Sequence, residues 1–277
     1  MRGGVNWLSS SLASPPARVV PSRMTLQQIL IEEMTWPEVE RFLARGFTSV
    51  VVAAGAVEQH GPHLPLLVDA ARGDRLALEV ARRLGKTLVA PTIRVGCSEH
   101  HMGFAGTLSL RRSTLKAICT DYAVSLARHG FRRVHFIPSH GGNFEPLAAM
   151  LDDLRAAAAP GCEVRAYTDL HGFVALWKEA VTEVAPQLAD RVGGHADIAE
   201  SSEMLCIRPE LVRDDLAAAG YVADFGEAVA ERIFRDGFRA VTPNGVLGDA
   251  RGMSRAIGER CIARAAEGVA AALRSAP

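Results

Sequence analysis

Short apolar runs alternate with longer segments of helical spacing along most of this chain. A capping-box pair, Thr35 and Glu38, predicts a helix that ends near residue 45. Residues 47–54 then form an apolar, β-branched run typical of a buried strand. Further strands are predicted at 87–91, 133–138 and 163–168, and further helices at 70–84, 113–129, 143–158, 172–185, 197–207 and 252–275. Strands that alternate with helices predict an α/β fold with a mostly parallel central sheet.

The first 23 residues differ from the rest of the chain. They are rich in serine, proline and glycine and show no clear periodicity. We predict a disordered tail over residues 1–23 and a single folded domain over residues 24–277. A chain of 277 residues fits one large α/β domain, and neither an internal repeat nor a domain boundary is evident.

Charge and cysteine content exclude several classes of protein. The formal net charge is zero, so no basic excess indicates binding to nucleic acid. No apolar stretch approaches the roughly 20 residues that span a bilayer. The five cysteines are scattered without a C-x-x-C pair, which favours a reducing cytoplasm over a disulfide framework. We therefore expect a cytoplasmic protein without a nucleic-acid or membrane partner.

A dense group of potential metal ligands follows the first predicted strand. Glu58, His60, His63 and Asp69 lie within twelve residues. Carboxylates and imidazoles are ligands that zinc, manganese and iron accept. Glu58 and His60 are two positions apart, so in extended backbone they project to the same side. The alternative interpretation is a polar turn whose side chains are solvated.

Three further segments place histidines or carboxylates near the ends of predicted strands. They are His140 in residues 139–143, His195 and Glu200 in residues 193–205, and His100 and His101 in residues 96–110. Each alone could be a helix-capping or polar loop segment, and Glu200 shares a helix face with Glu203. Together these segments contain or adjoin eight of the nine histidines, with His129 as the exception. This clustering predicts a metal-dependent hydrolase or lyase.

Five ordered motifs resemble those of the creatininase (creatinine amidohydrolase) family. They are Glu58-Gln59-His60-Gly61-Pro62-His63-Leu64-Pro65 with Asp69, Ser98 with His101-Met102-Gly103-Phe104 and Gly106-Thr107, His140-Gly141-Gly142-Asn143, Gly194-His195-Ala196 with Glu200-Ser201-Ser202, and Gly245-Val246-Leu247-Gly248-Asp249. The resemblance covers roughly residues 30 to 272.

The resemblance implies a three-layer α/β/α fold, two divalent metal ions and a homo-oligomer, often a hexamer. Zinc is the expected metal, with manganese or iron as alternatives. By position, Glu58 and His140 would bind one ion, His60 would bind the other, and Asp69 would bridge both. Glu200 is the expected remaining acidic ligand.

One position departs from creatininase itself. Creatininase has a glutamate two residues after the histidine of the third-strand loop, where this chain has Gly142. The departure argues against creatinine as the substrate. Relatives with the same glycine include a formamidopyrimidine-nucleotide deformylase and a peptidase-like enzyme of mycofactocin maturation. Asp197 also replaces a usual glycine, either as a neutral loop change or as a change at the pocket wall.

The predicted reaction is amide C–N hydrolysis of a small cyclic amide or formamide by a metal-bridged hydroxide. The predicted catalytic residues are His195, as the acid that protonates the leaving nitrogen, and Glu200. Alternatively, His195 orients Glu200 without touching substrate. The expected substrate contacts are Ser98, His101, Gly141, Gly142 and Asn143.

Three other functions fit parts of the pattern. A dinuclear metal site could instead hydrolyse a lactone or a phosphoester. A non-catalytic metal-binding or assembly protein would hold metal without turnover. A nucleotide-binding protein is disfavoured, because no G-x-G-x-x-G follows the first strand and no phosphate-binding P-loop motif occurs.

Overall fold

A computed structural model describes residues 29–223 and 226–275, so the predicted N-terminal tail lies outside the described residues. The helices are α1 Trp36–Ala44, α2 Val68–Leu84, α3 Arg112–Arg128, α4 Phe144–Ala157, α5 Leu170–Val184, α6 Ile198–Ile207, α7 Glu227–Asp236 and α8 Arg255–Ser275. The strands are β1 Ser49–Ala54, β2 Thr87–Val89, β3 Arg133–Pro138, β4 Glu163–Ala166, β5 Val192–His195 and β6 Leu247–Gly248.

Four parallel strands form the central sheet in the order β2-β1-β3-β4. All six residues of β1 are buried, because a parallel sheet is covered by helices on both faces and tolerates a continuous apolar run. Strand β3 pairs with β1 along its full length, so that Ser49 lies opposite Arg133 and Ala54 opposite Pro138. Strands β5 and β6 form a separate antiparallel pair.

The helices form one layer on each face of the sheet. Val51 and Ala53 of β1 face a core built with α2, α5, α6 and α8. Val50 and Val52, on the opposite face, pack in a second core with α1, α3 and α4. Side chains of a strand alternate between its two faces, so one apolar strand supports both cores. The predicted α/β/α fold is confirmed.

Several local predictions are confirmed and others need correction. The backbone N–H and Oγ1 of Thr35 both donate to Glu38 at the start of α1, as the capping box requires. The third strand has its predicted bounds, but β2 and β4 end earlier than predicted, at Val89 and Ala166, where their continuous pairing with β1 and β3 stops. Helix α7 and the β5–β6 pair were not predicted.

Two exclusions from the sequence can also be compared with the structure. All five cysteines are free thiols, so no disulfide framework is present. Within residues 29–223 and 226–275, every helix is too short or too polar to cross a bilayer.

Candidate metal centre

The first four predicted ligands converge at the carboxyl end of the sheet. Glu58 and His60 lie in the loop that leaves β1, and His140 follows β3 directly. Asp69 is in the first turn of α2, to which the same loop leads. Because β1 and β3 are adjacent and parallel, their carboxyl ends meet at one edge, which is the usual ligand site of such sheets.

The fifth ligand arrives on α6, and Asp197 determines how. The side chain of Asp197 caps this helix, and its two oxygens accept hydrogen bonds from four backbone N–H groups, those of Gly193, Gly194, Ala199 and Glu200. Asp197 is fully buried. It is therefore neither a neutral loop change nor a pocket wall: it anchors the turn that presents Glu200.

The side chains form two groups that share Asp69. In one, His140 Nδ1 lies 3.1 Å from Glu58 Oε1 and 3.3 Å from Asp69 Oδ2. In the other, His60 Nε2 lies 3.5 Å from Asp69 Oδ1 and 3.6 Å from Glu200 Oε2. The potential ligand atoms of each group lie within 4.8 Å of one another. The two oxygens of Asp69 thus face different groups, as a bridging carboxylate requires.

These residues are buried, and four of their polar atoms lack hydrogen-bond partners among the described residues. All five residues are at most 3% exposed. Among the described residues, no hydrogen-bond partner is found for either oxygen of Glu58, for His60 Nε2 or for Asp69 Oδ2. Buried polar atoms without partners are costly unless something else satisfies them. Carboxylate oxygens and imidazole nitrogens that converge in this way fit divalent metal ions.

The outward nitrogens of the ligand histidines are held by backbone carbonyls. His60 Nδ1 lies 3.2 Å from the carbonyl oxygen of Glu58, and His140 Nε2 lies 3.1 Å from that of Cys97. A carbonyl oxygen only accepts, so each of these nitrogens carries the hydrogen. In the neutral ring the inward nitrogen then has the lone pair that a metal needs.

The carboxylates control the protonation of both histidines. Burial alone would lower the pKa of His60, but Asp69 and Glu200 outweigh it and raise that pKa to about 9. Burial is likewise outweighed at His140, where Glu58 and Asp69 raise the pKa well above its usual value. Without metal these rings hold protons that compensate the carboxylates. A metal ion would take the place of those protons.

His195 stands beside both groups and is neutral. Burial and the neighbouring His60 lower the pKa of His195 well below its usual value. Its Nε2 lies 3.0 Å from the carbonyl oxygen of Gln59 and donates to it. Its Nδ1 faces the centre, 3.9 Å from Glu58 Oε1 and 4.0 Å from Glu200 Oε2. His195 also forms a potential ligand group with Glu58 and His60.

A buried arginine bonds the oxygen of Glu200 that points away from the centre. Arg72 donates from Nη1 to Glu200 Oε1 at 2.6 Å and from Nε to Glu203. The indole of Trp177 donates to the other oxygen of Glu203 at 3.1 Å. Burial would lower the pKa of Arg72, but Glu203 and Glu200 raise it instead. Glu200 Oε2 accepts from the Ala196 N–H at 2.6 Å and is the oxygen that faces the metal centre.

The loop after His140 has no space for a side chain at position 142. A Cβ atom on Gly142 would lie 2.3 Å from the Cys97 carbonyl oxygen, 2.5 Å from His140 Nε2 and 2.7 Å from His100 Cε1. A glutamate side chain, which creatininase has at this position, would therefore not fit here. Glu200 is the acidic side chain that completes the second group instead.

Of the other predicted substrate contacts, Asn143 and Ser98 are buried side chains, whereas His101 lies at the centre. Asn143 is fully buried, and its side chain bonds the backbone of Ala54, Gly55 and Cys97, so it joins loops and does not face substrate. Ser98 is also buried, and its Oγ lies 3.4 Å from His140 Nε2. His101 Nε2 lies 3.3 Å from Glu58 Oε1, which places this ring at the centre itself.

Not every histidine belongs to the cluster. His135 lies within β3 and interacts with Arg165 and Glu163, away from the strand end. His171 lies in the first turn of α5. His63 is buried nearby and contacts Ser201 Oγ at 2.7 Å through Nε2. The expected clustering of eight histidines therefore overstates the number at the centre.

An aromatic cover over the centre was not predicted. Phe238 stacks on His101 with ring centroids 4.0 Å apart and meets His195 edge-on at 4.9 Å. Phe238 also lines a cavity of about 280 Å³ together with His100 and Phe234. The glycines that flank α7, Gly226 and Gly237, are a sequence signal that could have indicated this segment.

Comparisons with known proteins identify the family of this chain. The creatininase family, described as creatinine amidohydrolase, matches residues 32–273. A mycofactocin precursor peptide peptidase of Mycobacterium ulcerans (strain Agy99) is 33% identical over 239 residues, which cover 83% of this chain and 81% of that protein. A creatinine amidohydrolase of Pseudomonas putida is 30% identical over 259 residues, 90% of this chain and 97% of that protein.

Solved structures give the same assignment. A manganese form of creatininase has a TM-score of 0.72 and 29% identity, and covers 89% of this chain and 97% of that chain. A zinc–zinc form of a creatininase mutant has a TM-score of 0.71 at the same identity and coverage. The family predicted from the five motifs is confirmed, and this chain belongs to the creatininase family of metal-dependent amidohydrolases.

Proposed function

We propose that this protein is a dinuclear metal amidohydrolase that cleaves a C–N bond in a small amide substrate. The observation that carries the proposal is the pair of ligand groups that share Asp69. One ion would be held by Glu58, Asp69 and His140, and the other by His60, Asp69 and Glu200. Zinc is the expected metal, with manganese or iron as alternatives, and both zinc and manganese forms of creatininase are known.

The buried charges favour two ions over one. The three ligand carboxylates carry three negative charges, while Glu203 and Arg72 balance each other. One divalent ion would leave a buried negative charge. Two would leave one positive charge, which favours the oxyanion that develops when an amide carbonyl is attacked. When bound, the ions would also polarise the carbonyl and lower the pKa of a coordinated water.

The chain itself supplies proton transfer. Neutral His195 presents Nδ1 to the centre, so it accepts a proton before it can donate one. We therefore infer that His195 takes a proton from the attacking water and then delivers it to the leaving nitrogen. Its Nε2–H stays bonded to the Gln59 carbonyl, which stabilises the charged ring between the two steps.

The substrate is expected to be a small cyclic amide or a formamide other than creatinine. Creatininase's glutamate after the third-strand histidine has no equivalent here, since Gly142 is packed against Cys97 and His100. The relatives named mycofactocin precursor peptide peptidase, at up to 33% identity, support a short peptide as the alternative substrate. A homo-oligomer is expected from the family resemblance.

A panel of amides tests the proposal. Protein reconstituted with zinc or manganese is incubated with creatinine, lactams, formamides, short peptides, a lactone and a phosphoester, and products are identified by mass spectrometry. We expect turnover of at least one amide and loss of that turnover in His195→Gln. Hydrolysis of only the lactone or the phosphoester would refute the amidohydrolase assignment. Metal binding without turnover of any substrate would favour a non-catalytic metal-binding protein.

A further inference from the structure

The side chain of Gln59 lies between two histidines of the metal centre, and its orientation is fixed. Its Oε1 accepts from the backbone N–H of Gly61 at 2.9 Å, and its Nε2 donates to the carbonyl oxygen of Gly245 at 3.1 Å. An N–H group only donates and a carbonyl oxygen only accepts, so the amide cannot be turned over without losing both bonds. Gln59 is 5% exposed, so water does not replace them.

This orientation determines which nitrogen of His101 carries hydrogen. The second hydrogen of the Gln59 amide is directed to His101 Nδ1 at 3.0 Å. Nδ1 must therefore accept, and the neutral ring carries its hydrogen on Nε2. Since Nε2 lies 3.3 Å from Glu58 Oε1, His101 presents an N–H donor to the metal centre.

The backbone carbonyl of Gln59 orients His195 so that its nitrogen without hydrogen faces the centre. His195 Nε2 donates to the Gln59 carbonyl oxygen, and its bare Nδ1 faces the centre. The two rings are 4.7 Å apart. Gln59 Nε2 also lies 3.0 Å from His195 Nε2, which brings two donors together. If His195 Nε2 accepted from this amide instead, it would face the Gln59 carbonyl as a second acceptor, and His101 Nδ1 would lose its donor.

We propose that Gln59 is a positioning residue that holds both histidines as the Nε2–H tautomer with opposite edges toward the metal centre. His101 then presents an N–H donor to the centre beside Glu58, and His195 presents a proton acceptor. The inference rests on the proposed hydrolase function, because amide hydrolysis needs a donor for the developing oxyanion and an acceptor for the proton of water.

Gly245 of the C-terminal motif belongs to the same arrangement. A Cβ atom there would lie 1.9 Å from Gln59 Oε1, and the backbone has a φ of +82°, which favours glycine. The glycine therefore allows the loop before β6 to approach the amide closely enough to accept its hydrogen bond. This contact gives a reason for the Gly245–Asp249 motif, which supplies no member of the two ligand groups.

The tautomers can be read directly by NMR. Zinc-loaded protein with ¹⁵N-labelled histidine is measured by long-range ¹⁵N–¹H correlation, and signals are assigned with His101→Gln and His195→Gln. We expect both rings to carry hydrogen on Nε2. In Gln59→Glu a carboxylate oxygen faces His101 Nδ1, so hydrogen should appear on that nitrogen while His195, held by the backbone, stays unchanged. An Nδ1–H tautomer at either ring in the wild type would overturn the inference.

Kinetics supply the second measurement. In Gln59→Met we expect kcat to fall by on the order of 100-fold, the lower end of the range for proton-transfer groups, with KM and metal content little changed. Thr107→Val is the matched control, because Thr107 Oγ1 accepts a hydrogen bond from the backbone N–H of Gln59 at 3.3 Å, and loss of this bond should leave both tautomers unchanged. Full kcat in Gln59→Met would also overturn the inference.

The two proposals fail in different ways. Expected tautomers in a protein that hydrolyses none of the amides would refute the amidohydrolase and leave the positioning of the rings intact. Turnover of an amide with the wrong wild-type tautomers would refute the role of Gln59 alone. The wild-type spectrum decides this even if a Gln59 variant does not fold.

Discussion

Replacement of Arg72 by methionine is expected to destabilise the metal-free protein strongly. The guanidinium is 3% exposed and bonds Glu200 and Glu203 while it lies 4.5 Å above the ring of Trp177. Methionine keeps much of the apolar volume but leaves two buried carboxylates without their cation. Breaking a buried ion pair in this way costs about 3–5 kcal/mol. For a chain of this size that corresponds to a loss of roughly 6–20 °C in Tm.

The assay is thermal and urea unfolding of chelator-treated protein, with Arg75→Met as the control. Arg75 lies three residues after Arg72 in α2, and its side chain is 45% exposed and pairs with Glu79. Loss of this exposed ion pair should cost less than about 1 kcal/mol. The double variant Arg72→Met with Glu203→Gln should recover part of the loss, because one buried charge is removed. If Arg72→Met cost no more than Arg75→Met, the buried ion-pair network would be refuted.

Two further substitutions test the loops that present the ligands. Gly142→Ala should displace His140, because the added methyl group would lie within 2.5 Å of His140 Nε2 and of the Cys97 carbonyl oxygen. We expect a reduced metal content by elemental analysis. Gly141→Ala is the control and should retain its metal, because nothing lies within 4 Å of a Cβ atom at that position. Equal metal content in both variants would contradict this packing. Asp197→Ala should destabilise the protein by about 2 kcal/mol, the upper range for a helix cap, since four backbone N–H groups lose their acceptor. A loss below about 0.5 kcal/mol in urea unfolding would show that the cap is unimportant.

The sequence was sufficient to predict the sheet and the positions of the main ligands. The apolar run of β1 and the residues after it are close together in the chain, so Glu58, His60 and their strand could be recognised from local pattern. The positions of His140 and Glu200 were also predicted, but their proximity to Glu58 depends on the order of the strands. That order was not predicted, and a shared site was expected only because the segments follow predicted strands and resemble the family's motifs.

Other features depend on contacts that local pattern does not contain. Arg72 reads as one more arginine on an amphipathic helix, and its burial follows from Glu200 and Glu203, which are 128 and 131 residues away in the chain. Asp197 was recognised as unusual, but its role as a helix cap required the geometry of the preceding turn. Phe238 lies in a segment whose short helix had no strong signal beyond its flanking glycines.

Metal content per chain tests the central claim most directly. Protein purified without chelator is analysed for zinc, manganese and iron, for the wild type, Asp69→Asn and Asp74→Asn. Asp74 is the control, because it lies in the same helix but is half exposed and pairs with Arg94. We predict near two ions per chain in the wild type and the control, and one or fewer in Asp69→Asn. Two ions and full activity in Asp69→Asn, or no metal in the wild type after reconstitution, would contradict the dinuclear centre.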